Sequence, residues 1–247
     1  MATYIVTGDS WSMGEFVASK TPVANPLQHR GLVQLLEESG HTAYHVGRPG
    51  FSNWDSTKMV AAFLDRHDVK IDAIIACQIG FEKDLGYQYS DKDWSQVRSV
   101  GEVAGWYLWD YYQKLNDFYD RLGIPTFLIG SKCDTMWFED LSDHLPGLTV
   151  VCQSLFNWVV NDNDRIEKPV YSWFDRTTID LVQQLHKNMN SQGVSDLLDN
   201  IDLGMQREVA VRTNREYFWP DGEHPNMQAW KKVYKLLTDR GHVLIDQ

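Results

Sequence analysis

Positive charge is in short supply in this chain relative to negative. Its 23 Lys and Arg stand against 34 Asp and Glu, a formal net charge of −11 over 247 residues, and no compact basic cluster offsets it. Such a balance repels phosphate backbones and anionic membrane surfaces, which argues against nucleic acid as a partner. Cysteine is scarce as well: Cys77, Cys133 and Cys152 are odd in number and lack framework spacing. Cys77 and Cys152 sit in apolar, strand-like runs, which suits buried reduced thiols and speaks against a disulfide scaffold. No apolar run approaches the length of a membrane span. The N-terminus runs into a strand without a charged and apolar leader, so the cytoplasm is the expected location. No Gly-x-Gly-x-x-Gly or P-loop follows any strand, which removes the usual nucleotide cradles. Repeats, low-complexity tracts and Gly/Ser linkers are also missing, and one domain over residues 1–247 is expected.

What the chain does have is apolar mass: 43% hydrophobic residues and ten Trp, enough for a sizeable core. Short, β-branched runs at residues 4–7, 42–46, 71–79 and 124–129, with a fifth at 148–152, are bounded by Gly, Pro or Asp, as buried parallel strands tend to be. Helical patterns alternate with them. Residues 26–40 begin at Pro26 and end in Gly40, and the stretch from Ser52 opens with a capping-box-like Ser52 and Asp55. An aromatic segment over 103–123 has helical spacing and a Gly stop, and a last helix is expected over 226–240, after Pro225. Such alternation predicts an α/β fold, a mostly parallel sheet with helices on both faces. The functional crevice of such a sheet lies beyond the carboxyl ends of its strands. Residues 131–222 are harder to read; their aromatic pieces suggest a wall on the substrate side.

The first strand, TYIVT, ends in Gly8-Asp9-Ser10, which places Ser10 on that rim. Serine is a poor nucleophile unless a base takes its proton, and the base is usually oriented by a carboxylate. Of the eight histidines, His29 and His186 fall in amphipathic helical patterns, and His67, His144 and His242 in polar turns. His41 and His45 are four apart, but no third ligand follows at a spacing that would hold a metal. His224 is different. In FWPDGEHPN, Asp221 precedes it by three residues in a turn that can aim both side chains the same way. After the second strand, VGRPGFSNWDS offers backbone N–H groups at a turn and a helix start, where a developing oxyanion is stabilised.

Gly8-Asp9-Ser10 after the first strand and Asp221-x-x-His224 before the last helix together resemble the SGNH hydrolases, also called the GDSL esterase/lipase family. The resemblance runs through the chain in order and implies a flavodoxin-like three-layer α/β/α sandwich. It implies a serine esterase without metal or organic cofactor, acting on an O-acyl carbohydrate or a small lipid-like ester. Ser10, His224 and Asp221 match the catalytic residues, and Gly50 matches the loop glycine whose N–H joins that of Ser10 in the oxyanion hole. Trp11 stands where the family name has Leu. A larger departure lies in the third block, where CQIGFEKDLG keeps Gly80 but sets Glu82 at the Asn position and Lys83 at the Asp. An ionised carboxylate cannot donate to an oxyanion. Either Gln78 or Asn53 supplies the amide, or backbone N–H groups act alone. The alternative is a binding or structural module on this fold, with aromatics around 156–175 as a sugar platform. Acyl group, leaving alcohol and oligomeric state are not legible.

Overall fold

The computed structural model describes residues 1–16, 27–79, 113–114, 116–118, 120–121, 123–131, 133–135, 145, 147–166, 170, 191–219 and 224–243. Five parallel strands form the main sheet: β1 (Thr3–Thr7), β4 (Thr42–His45), β5 (Ala73–Gln78), β6 (Thr126–Gly130) and β7 (Leu148–Cys152), in the order β4-β1-β5-β6-β7. This is the flavodoxin-like order, with the first strand inside and the direction of winding reversing beside it. β1 and β5 are apolar almost throughout and buried on both faces, which is why they read as continuous runs.

Helices follow the strands: α1 (Ser10–Met13), α2 (Gly31–Glu38), α3 (Asn53–Arg66), α4 (Leu155–Asn161), α5 (Ser191–Thr213) and α6 (Met227–Asp239). Tyr4, Val6, Ala73, Ile75 and Ile129 share one core with Leu32 and Leu36 of α2, Leu155 and Val159 of α4, and Trp230, Val233 and Leu237 of α6. By strand alternation, Ile5 and Ile74 point to the other face, where α3 packs against β1. Helices therefore cover both faces of the parallel sheet, as the alternation predicts.

The expected capping box at the start of α3 is present: Ser52 Oγ accepts from Asp55 N, and the Asp55 carboxylate accepts from Ser52 N. Asn226 caps α6, accepting from Gln228 N and Ala229 N at 2.8 and 3.2 Å. One expectation is corrected. The helix expected over 26–40 starts only at Gly31, because Leu27–His29 forms a short strand, β3, antiparallel to β2 (Glu15–Phe16). Gly31 has φ +53° and a ring edge of Trp230 3.0 Å from where a Cβ would sit, so the chain turns there instead of continuing a helix from Pro26. Of the aromatic segment expected over 103–123, only positions 113–114, 116–118, 120–121 and 123 are among the described residues. Gly123, at φ +64°, ends that helix with its N–H on Asp120 O. Among the described residues no helix is long and apolar enough to cross a membrane.

Candidate active site

Beyond the end of β1, the chain turns through Gly8 at φ +148°, where a Cβ would lie 2.8 Å from Ser12 Oγ and 3.0 Å from Cys77 Cβ. Only glycine fits so tight an exit. Asp9 then caps α1, its carboxylate accepting from Trp11 N at 2.9 Å and its carbonyl from Ser12 N at 3.1 Å. Asp9, Trp11 and Ser12 are buried at 3%, 1% and 0% exposure. Ser10 is part-exposed between them. The turn thus buries its neighbours and leaves Ser10 at the rim.

The loop carrying His224 is closed by an antiparallel bridge between Phe218 and Pro225, with Trp219 N donating to His224 O and Asn226 N to Tyr217 O, both at 2.9 Å. Phe218 is fully buried and meets the Trp11 ring at 5.9 Å between centroids. Trp11 adjoins Ser10, and Pro225 adjoins His224. One aromatic contact therefore seats the His224 loop beside the serine turn. The same ring packs against Phe156 at 5.8 Å, with the Arg207 guanidinium 5.4 Å from Phe156. Arg207 in turn pairs with buried Asp134 at 2.6 Å, and Asp134 accepts from Val170 N at 2.7 Å. Asp221 lies outside the described residues.

Gly50 has φ +78°, is exposed, and has open space where a Cβ would be. Its turn is closed by Phe51 N on Arg48 O at 3.2 Å. Asn53, one residue into α3, and Gln78, at the end of β5, are buried together. Asn53 Oδ1 accepts from Ile79 N at 2.9 Å, and its Nδ2 donates to Ile79 O at 2.9 Å. Gln78 Nε2 donates to Asn53 Oδ1 at 3.1 Å and to Ile79 O at 2.8 Å. Both amides thus engage the backbone where β5 ends, tying the start of α3 to that strand. Gly80, Glu82 and Lys83 lie outside the described residues.

Two residues of this region escape the sequence reading. Gly47 packs so closely on the serine turn that a Cβ would lie 2.2 Å from Gly8 O. His45, the last residue of β4, sets Nε2 2.8 Å from Ser12 Oγ, and Ser12 Oγ donates to Asp9 O at 2.7 Å. With that single hydroxyl proton committed, Nε2–H is the donor to Ser12 Oγ. Burial pushes the imidazole down to about 4, against the pull of Asp9. In the sequence His45 stands out only by its four-residue spacing from His41, a pair with no third metal ligand at a suitable spacing. In the structure, His41 lies at the opposite end of β4, accepting from Ala2 N at 3.2 Å and edge-on to Tyr4. Of the other histidines, His29 accepts from Gly31 N, His67 lies on Phe63, and His242 on Phe127. Among the described residues no three His, Cys, Asp or Glu side chains group as a metal site.

No family model matches the sequence, and no curated protein matches it. The chain is similar to solved structures. A lipase/acylhydrolase from Enterococcus faecalis is 13% identical, with all of both chains covered and a TM-score of 0.41. The psychrotrophic esterase EstA from Pseudoalteromonas sp. is 11% identical over 97% of this chain and 96% of that one, with a TM-score of 0.45. AlinE4, an SGNH-hydrolase family esterase, is 16% identical over 75% of this chain and 93% of its own, with a TM-score of 0.41.

Proposed function

We propose that the chain is a single-domain serine hydrolase of the SGNH type that cleaves a carboxylic ester, the acyl group sitting on a carbohydrate or a small lipid-like alcohol. Ser10 Oγ attacks the carbonyl carbon while His224 takes its proton, and Asp221 holds the imidazole. The tetrahedral oxyanion rests on the backbone N–H groups of Ser10 and Gly50. Collapse expels the alcohol with the proton from His224 and leaves an acyl-serine. Water then attacks that ester, His224 again moving the proton, and the acid leaves. This cycle calls for no cofactor, and we assign it to the cytoplasm. Asn53 and Gln78 support the hole from behind, holding Ile79 in place.

The observation that carries this reading is the part-exposed Ser10 between buried neighbours, with the His224 loop seated beside it through Trp11 and Phe218. Hydrolysis of p-nitrophenyl acetate and butyrate tests it. Turnover should be lost in Ser10→Ala and in His224→Ala; natural protein no faster than these variants contradicts it.

A second reading is a carbohydrate-binding module on the same fold. The engagement of both Asn53 and Gln78 with Ile79 favours it, since an oxyanion hole short of one donor is typically slower by about a hundred- to a thousandfold. Saturable binding of an oligosaccharide by a protein without esterase activity would mark it out.

A further inference from the structure

We propose that His45 is a positioning residue for the nucleophile: through Ser12 it fixes the carbonyl of Asp9, and with it the conformation of the turn that presents Ser10. The proposal rests on the reading of Ser10 as nucleophile.

A four-residue helix has little stability of its own, because its first turn fixes several dihedrals for one hydrogen bond. α1 is such a helix, and it follows directly on a glycine exit. Its geometry must come from tertiary contacts. Asp9 O is the first carbonyl of α1 and accepts from both Ser12 N and Ser12 Oγ. Ser12 Oγ is itself met by His45 Nε2, from the neighbouring strand β4. The route His45 Nε2–H to Ser12 Oγ–H to Asp9 O spans two strand ends and closes on the peptide unit that leads into Ser10. Two further hydrogen bonds hold the same strand ends at this point, one backbone and one from a side chain: Val46 N donates to Val6 O at 2.8 Å, and Thr7 Oγ1 to Val46 O at 2.6 Å.

Ser12 and His45 form a serine–histidine pair, yet Ser12 is 0% exposed and cannot meet a substrate. The pair therefore orients and does not attack. Because Ser12 Oγ–H is committed to Asp9 O, the pair works only with the proton of neutral His45 on Nε2. A residue that orients a nucleophile should act on kcat and leave substrate binding largely alone.

The test uses the full chain with His45→Leu, His45→Gln and Ser12→Ala, since the amide nitrogen of Gln can replace the Nε2 donor. Long-range 1H–15N spectra should show His45 with its proton on Nε2 at neutral pH. On p-nitrophenyl butyrate, His45→Leu and Ser12→Ala should lower kcat by about ten- to a hundredfold, the cost of a small misplacement, with KM little changed. The rate of fluorophosphonate labelling at Ser10 should fall in parallel, and His45→Gln should recover most of both. If His45→Leu does not fold, Ser12→Ala and His45→Gln carry the comparison. Unchanged kcat in Ser12→Ala, no recovery in His45→Gln, or a proton on Nδ1 overturns the inference alone. No turnover in the natural protein, or turnover indifferent to Ser10→Ala, overturns the hydrolase reading first and this inference with it.

Discussion

Ser10 and Ser12 are chemically the same and two positions apart, and burial divides their roles. Two glycines on the same rim divide in a similar way. A Cβ on Gly47 would lie 2.2 Å from Gly8 O, a backbone atom that cannot step aside, whereas at Gly50 nothing lies within 4 Å. Gly47→Ala should therefore lower stability by about 3 kcal/mol, the upper end for overpacking, and Gly50→Ala by about 1–2 kcal/mol, from its positive φ alone. Urea midpoints of the two variants check this, and equal losses would contradict it. His45 gives the molecule an acid sensitivity. Its folded pKa of about 4 lies below the ordinary 6.5, so the unfolded chain takes up a proton first as pH falls. Stability from this group is complete above about pH 7 and drains away as pH falls from about 6.5 to about 4, by up to on the order of 3 kcal/mol. His45→Gln should lose less stability than the natural protein between about pH 7.5 and pH 5; equal losses would contradict the buried neutral imidazole. The turns at Gly8 and Gly50 were legible because turn chemistry leaves local signatures, and both glycines have positive φ. His45 was not legible, because its role depends on which strand lies beside β1.

Among the elements, β1, β4, β5, β6 and β7 were legible from their apolar, β-branched runs, α3 from its capping box and α6 from the proline before it. Leu27–His29 misled because Pro26 and a helical run further on mimic a helix start, while its strand partner Glu15–Phe16 lies further back in the chain. The aromatic relay from Trp11 through Phe218 to Phe156 was also hidden, since nothing local in the sequence marks these rings as neighbours. At the end of that relay, the Asp134–Arg207 pair ties the loop after β6 to α5 with side chains 0% and 9% exposed. Breaking such a pair strands a buried charge, so Asp134→Ala should cost about 3–5 kcal/mol in urea unfolding. Lys235 and Asp239 on α6 are 73% and 58% exposed, and Lys235→Ala should cost well under 1 kcal/mol. Similar losses in the two variants would contradict this division.

For the molecule as a whole, strand–helix alternation and right-handed crossovers leave few arrangements for five parallel strands, and the observed order β4-β1-β5-β6-β7 is the flavodoxin-like one expected. That order puts the ends of β1, β4 and β5 side by side, which is why distant segments meet at Ser10. The three thiols belong to this same interior. Cys77, Cys133 and Cys152 are buried and form no disulfide, and burial pushes the Cys77 and Cys152 thiols well up. A thiol reagent should leave all three untouched in the native protein and label all three in urea; rapid native labelling would contradict the packing. We propose that the fold presents Ser10, and not Ser12 or any other serine, to substrate. Peptide mapping after treatment with a fluorophosphonate tests it most directly. A single adduct on Ser10, absent in Ser10→Ala and slowed in His224→Ala, is the predicted result. An adduct on another serine with Ser10→Ala still labelled, or no adduct at all, would contradict it.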